Sequence, residues 1–82
     1  MPVESPERTL KLHSKGDDVK HLQDDLNLLG YGLLTVDGDF GSKTEARVKD
    51  FQRNNNLTVD GIVGPKTWQA LHEQAAAKRR AG

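Results

Sequence analysis

A nine-residue motif occurs twice in this 82-residue chain and constrains its fold more than any other sequence feature. Residues 36–44 read VDGDFGSKT, and residues 59–67 read VDGIVGPKT. Asp-Gly is typical of a tight turn, because aspartate accepts local hydrogen bonds and glycine tolerates positive φ. The second glycine of each copy suits an N-cap, and Pro65 suits the first position of a helix. The repeat therefore predicts two related units, each made of a turn, an inward apolar residue and a helix.

Apolar residues recur at helical spacing in three segments. We predict helices over residues 17–29, over residues 42–54, and from Pro65 onward, with Gly30 capping the C-terminus of the first. The residues expected to face inward are Val19, Leu22, Leu26 and Leu29 in the first helix, Thr44, Val48 and Phe51 in the second, Trp68 and Leu71 in the third, and Phe40 and Val63 in the repeat. The predicted fold class is a small all-α three-helix bundle with two pseudo-repeated loop–helix units.

The chain divides into three predicted parts. Residues 1–8 contain two prolines and no apolar periodicity, which predicts a disordered lead or linker. Residues 9–73 are expected to form the folded domain, beginning with an irregular packing segment or lid strand at residues 9–12 that joins no sheet. Residues 74–82 are expected to form a helical or frayed basic tail, whose alanines favour helix but bury little surface.

Composition excludes several classes of protein. Cysteine is absent, so the chain can form neither a disulfide framework nor a thiolate metal site. Twelve basic residues balance twelve acidic ones, which argues against a nucleic-acid partner with its need for a broad basic face. No apolar run approaches the roughly 20 residues that cross a bilayer, so no membrane partner is expected.

The residues that carry chemistry predict neither catalysis nor a cofactor. No serine lies in a recognisable nucleophile turn, and the three histidines lack the spacing that places two ligands on one zinc ion. Adjacent carboxylates such as Asp17 and Asp18 suit a helix start better than a glycosidase cleft. An EF-hand loop counted from Asp37 would place Gly41 and Val48 at ligand positions, so its ligand set fails. We expect no catalytic residue and no metal site.

Three stretches, in order, resemble the peptidoglycan-binding domain (type 1) family. Residues 16–31, GDDVKHLQDDLNLLGY, resemble its first helix, residues 37–52 its central motif, and residues 57–71 its closing motif. The resemblance spans about residues 10–72. It implies a non-catalytic three-helix module that binds peptidoglycan and holds an attached or partner wall hydrolase on its substrate. The expected location is the bacterial cell wall or periplasm.

Exposed amide and aromatic groups are the expected ligand contacts, because glycan and stem-peptide atoms offer hydrogen-bonding groups and apolar faces. The candidates are Tyr31, Gln23, Asn27, Gln52, Asn54, Asn55 and Trp68. We expect a shallow groove between the end of the first helix near Tyr31 and the region around Gln52 and Asn55. Gln52 is equally suited to holding the preceding loop, and Trp68 also fits the inward stripe of the third helix.

An alternative interpretation is a protein–protein docking module that keeps this fold without wall binding, since fold alone does not fix function. Charge is segregated between an acidic first helix and basic residues in the second helix and at residues 78–80, which suits either a steered partner or solvated faces. Residues 1–8 lack the apolar core of a signal peptide. Delivery to the wall would therefore rely on a parent protein, a phage lysis system or another route.

Overall fold

The computed structural model describes residues 9–81, and the predicted lead at residues 1–8 lies outside this range. Three helices follow in order: α1 spans Asp17–Leu28, α2 spans Ser42–Asn54 and α3 spans Pro65–Ala81. The all-α prediction is confirmed. The first helix ends one residue earlier than expected, because Leu29 already leaves helical geometry, with φ −85° and ψ 0°.

The core contains the apolar residues that the helical spacing predicted except Leu29, which is only partly buried against it, together with one residue from the N-terminal segment. Both apolar residues of the repeat, Phe40 and Val63, are fully buried, as expected. The core cluster consists of Leu10, Val19, Leu22, Leu26, Phe40, Val48, Phe51, Val63, Trp68 and Leu71. All three helices and both copies of the motif therefore contribute to a single core.

The N-terminal segment joins the two copies of the motif. Leu10 and Val63 exchange two backbone hydrogen bonds, with N···O distances of 3.1 and 2.8 Å. A few residues later, His13 donates its N–H to the carbonyl of Phe40 at 2.8 Å, and the N–H of Phe40 donates to Ser14 at 2.9 Å. Only isolated bridges result within residues 9–81, so the expectation of a packing segment outside any sheet is confirmed.

The first two helices end in the same way. After α1, Gly30 adopts φ 87°, and the Tyr31 N–H donates to the Leu26 carbonyl at 2.9 Å. After α2, Asn56 adopts φ 57°, and the Leu57 N–H donates to the Gln52 carbonyl at 2.9 Å. This pattern is a Schellman motif, which satisfies carbonyl groups that the helix leaves unpaired. The predicted cap at Gly30 is confirmed.

The third helix continues without a break through residues 74–81, where the sequence predicted a helical or frayed basic tail. Ala75 is 1% exposed, contrary to the expectation that these alanines bury little, whereas Ala76 and Ala77 are exposed as expected. One turn further on, Arg79 donates to the carboxylate of Asp25 in α1 at 3.2 Å and lies 3.8 Å from Asp24. Burial raises the pKa of Asp25 above its ordinary value, although the hydrogen bond from Arg79 opposes that change.

Candidate ligand-binding site

The side chain of Gln23 holds the first motif loop against α1. Its Oε1 accepts from the backbone N–H groups of Asp37 and Gly38 at 3.1 and 3.0 Å. Its Nε2 donates to the Asp37 carboxylate at 3.1 Å, to the Asp39 carbonyl at 3.0 Å and to the Thr44 hydroxyl at 3.1 Å. One amide thus joins α1, the turn and the first turn of α2.

Gln52 repeats this arrangement in the second unit. Its Oε1 accepts from the N–H groups of Asp60 and Gly61 at 3.1 and 3.0 Å. Its Nε2 donates to the Asp60 carboxylate at 3.0 Å, to the Ile62 carbonyl at 2.9 Å and to the Thr67 hydroxyl at 3.3 Å. We call these two arrangements the glutamine clamps. Gln23 and Gln52 are each 1% exposed, so neither side chain offers a surface to a ligand.

The motif aspartates accept hydrogen bonds from the backbone of their own turns, as the sequence suggested. Asp37 accepts the N–H of Asp39 at 2.9 Å, and Asp60 accepts the N–H of Ile62 at the same distance. The hydrogen bond from the Asp39 backbone, together with the one from Gln23, holds the pKa of Asp37 below its ordinary value. These carboxylates therefore act as turn-forming groups in this structure.

Three further candidate residues lie in packed or loop-holding positions. Trp68 is 1% exposed and stacks on His72 with ring centroids 5.3 Å apart, which places it in the core. Asn27 holds the loop after α1, because it both donates to and accepts from the backbone of Leu34 at 2.8 Å. Asn55 accepts from the Gln74 side chain and donates to the Phe51 carbonyl at 2.8 Å.

The remaining candidates, Tyr31 and Asn54, come together at an open depression between the end of α1 and the outer face of α2. The depression measures about 410 Å³ and is lined by Leu29, Gly30, Tyr31, Arg47, Asp50, Arg53 and Asn54. We call it the Tyr31 depression. Asn54 donates to the Tyr31 hydroxyl at 3.1 Å, and the Tyr31 ring packs edge-on against Phe51 with centroids 5.4 Å apart.

Two arginines and one aspartate form the polar side of the Tyr31 depression. Asp50 accepts from Arg47 at 2.9 Å and from Arg53 at 3.1 Å, so one carboxylate is shared between two guanidinium groups. Both arginines are among the basic residues that the sequence analysis noted in the second helix, but that analysis did not single out Asp50. The spacing of three residues between successive members, which places them on one helix face, was the available signal.

Each of the two motif loops has a further depression beside it. One, of about 400 Å³, lies beside the second loop and is lined by residues that include Leu57, Ile62 and Pro65. Its counterpart at the first loop, of about 320 Å³, is lined instead by more polar residues such as Asp39 and Ser42. The same backbone arrangement thus presents different chemistry in the two units.

Two other features are absent from residues 9–81. No group of three histidine or acidic side chains is placed to hold a metal ion. None of the helices in this part of the chain is both long enough and apolar enough to cross a membrane.

Comparison with known proteins places the chain in a family. A family model described as a peptidoglycan-binding domain matches residues 15–71. The N-acetylmuramoyl-L-alanine amidase CwlM of Mycobacterium tuberculosis is 44% identical over 57 residues, which cover 70% of this chain and 14% of the amidase. The chain spans 60%, 14% and 26% of the lengths of three curated relatives that it matches.

Solved structures agree with this assignment. The N-terminal domain of SleB superposes with a TM-score of 0.81 at 35% identity, covering 83% of this chain and 93% of that one. The endolysin of Burkholderia phage AP3 superposes with a TM-score of 0.77 at 42% identity, covering 80% of this chain and 25% of the endolysin. The chain belongs to the peptidoglycan-binding domain family.

Proposed function

We propose that the chain is a non-catalytic module that binds peptidoglycan through the Tyr31 depression. The observation that carries the proposal is the position of Tyr31 and Asn54, which hydrogen-bond to each other at the rim of an open concave surface. An aromatic ring and an amide beside charged donors suit a ligand with both apolar and polar groups. Gln23, Gln52 and Trp68 are left out of this surface because they are buried.

The proposal includes an attached or partner wall hydrolase that the module holds on its substrate, at the cell wall or in the periplasm. Support comes from the amidase and the endolysin, in which the matching part is a fraction of a longer chain. Tethering raises the effective concentration of a second binding event, so a modest affinity would be enough for anchoring.

Co-sedimentation with purified peptidoglycan tests the proposal, with turbidity followed in the same tube. We expect the chain to pellet with the wall material and to leave its turbidity unchanged. Asn54→Ala should weaken binding by about two- to tenfold, the effect of losing one ordinary hydrogen bond. Gln69→Ala, an exposed change on α3 away from the Tyr31 depression, should bind as the parent chain does.

A folded chain that stays in the supernatant would overturn wall binding, and clearing of the suspension would overturn the non-catalytic assignment. A folded chain that does not pellet would favour protein–protein docking instead. Exposed apolar side chains in the two loops support that second candidate, since Leu33 is fully exposed and Val36, Val59 and Ile62 are each about two-fifths exposed. Capture of an attached or co-produced wall hydrolase by this surface would then be the expected finding.

A further inference from the structure

We infer that the Tyr31 depression recognises a carboxylate of the peptidoglycan stem peptide and not the glycan strand. The inference rests on the proposed wall binding and adds the part of the polymer that is bound. Its basis is the pair of arginines at the depression, because guanidinium groups match carboxylates in both charge and planar geometry. Stem peptides carry free carboxylates, whereas the sugar rings of the glycan are neutral.

The two arginines keep hydrogen-bonding capacity for a ligand. Arg47 and Arg53 each contact Asp50 through one Nη1 atom, while a guanidinium group carries five N–H donors. Their side chains are 41% and 63% exposed, so both reach the solvent side of the depression. Two positive charges share one negative charge, which leaves a net positive surface able to accept a second carboxylate.

The depression is held in shape before a ligand arrives. Gly32 passes directly over Arg47, since a Cβ atom at that glycine would lie 2.9 Å from the arginine Cδ. The Arg47 side chain is therefore confined between the loop and its partner Asp50. On the opposite side, Tyr31 is fixed by Phe51 and Asn54. Preorganised groups lose less conformational entropy on binding than mobile ones do.

The apolar part of the depression suits a short peptide. Leu29 and the Tyr31 ring lie next to the arginines, so a carboxylate and a neighbouring methyl group can be contacted at once. This combination occurs in the alanine residues of a stem peptide. The volume of about 410 Å³ lies toward the small end of ligand pockets, which corresponds to one or two residues of a peptide.

Three preparations of the same wall material test the inference. The first is intact, the second has its accessory phosphate polymers removed, and the third has its stem peptides removed by an amidase, with the muramic acid carboxylates that this hydrolysis frees then capped as methylamides. We expect equal binding to the first two and a loss of at least about tenfold on the third, since hydrogen bonds to charged groups are the stronger class. Titration with a soluble stem tetrapeptide should shift the backbone NMR signals of Tyr31, Gly32 and Arg47, whereas its fully amidated form should not.

Variants identify the groups responsible. Arg47→Gln and Arg53→Gln should each weaken binding to intact wall by about ten- to hundredfold. Arg53→Lys should recover only part of the loss, because an ammonium group cannot make two parallel hydrogen bonds to a carboxylate. Arg80→Gln removes the same charge from an exposed position of α3 and should have no effect. Thermal unfolding of each variant is the control that tests whether the domain remains folded.

The outcomes separate the inference from the function on which it rests. Undiminished binding to wall without stem peptides would overturn the inference and leave wall binding standing. Loss of binding when phosphate polymers are removed would also overturn it, in favour of a phosphate ligand. A chain that binds none of the three preparations would overturn the proposed function itself.

Discussion

The glutamine clamps make a prediction about stability that can be worked out from the structure. Gln52→Met removes the amide while nearly keeping the length and volume of the side chain. Five hydrogen bonds are lost, to Asp60, Gly61, Ile62 and Thr67. Asp60 and Ile62 are exposed, so water can replace the clamp at those residues.

The cost comes from the groups that water cannot reach. Gly61 is buried and Thr67 is 6% exposed, so the Gly61 N–H and the Thr67 hydroxyl both lose their contact to Gln52 inside the protein. A buried polar group left unsatisfied costs about 1–3 kcal/mol, which gives about 2–6 kcal/mol for the pair. A domain of this size has a total free energy of unfolding of about 4–12 kcal/mol. A single substitution should therefore remove a large fraction of the stability.

Urea unfolding followed by circular dichroism measures the effect. Gln23→Met should cost about as much as Gln52→Met, because its contacts to the buried Gly38 and Thr44 are equivalent. The control is Gln69→Met, at an exposed position of α3, which should change the free energy of unfolding by less than about 0.5 kcal/mol. A clamp variant that unfolds like the control would refute the reasoning, and so would a large cost at only one of the two clamps.

Three further predictions concern one turn glycine and two acidic groups. Gly61→Ala should cost about 1–2 kcal/mol in urea unfolding, since Gly61 has φ 74° and a new Cβ would lie 3.1 Å from Glu45. Gly64→Ala, with nothing within 4 Å of the new Cβ, is the comparison variant and should cost less, because it loses only the modest preference of the N-cap for glycine over alanine. Above its ordinary pKa of 3.8, the ionised Asp37 side chain stabilises the fold, because its pKa is lowered in the folded state. The difference in free energy of unfolding between the parent chain and Asp37→Asn should therefore shrink as the pH falls below that value. The pH dependence at Asp25 should have the opposite sign. As the pH rises from 3.8 through the raised pKa, the free energy of unfolding of the parent chain should fall relative to that of Asp25→Asn.

The helices were predictable because their signals are local. An apolar stripe, a capping glycine and Pro65 each act within a few residues, and α2 begins and ends where the sequence predicted. The tail of α3 was harder to predict, since Ala75 is buried in a helix that packs against α1, an element distant in the chain. Arg79 likewise meets Asp25 across 54 residues, a contact that no local pattern encodes.

The candidate site was less predictable because the same residue types serve two purposes. Glutamine and asparagine suit a carbohydrate or peptide ligand, but they are equally able to satisfy the backbone of a tight turn. Gln23 and Gln52 do the latter. Their separations along the sequence from the motif aspartates differ, with Gln23 14 residues before Asp37 and Gln52 8 residues before Asp60. The nine-residue repeat therefore does not contain the glutamines that clamp it. In the structure the two glutamines nevertheless make equivalent hydrogen bonds to their motif loops.

A difference between the two units explains why the part of the chain that the structure describes has one Tyr31 depression and not two. The Schellman motifs after α1 and α2 place Tyr31 and Leu57 at equivalent positions, each bonded back to its helix at 2.9 Å. Tyr31 brings a hydroxyl to the face of α2, where Asn54 and the arginines complete a polar surface. Leu57 brings no polar group, and its surroundings form the more apolar depression of the second loop. The same scaffold thus occurs twice within residues 9–81, and Tyr31 at the position that Leu57 occupies in the second unit gives only the first unit a hydroxyl that meets polar residues of the next helix.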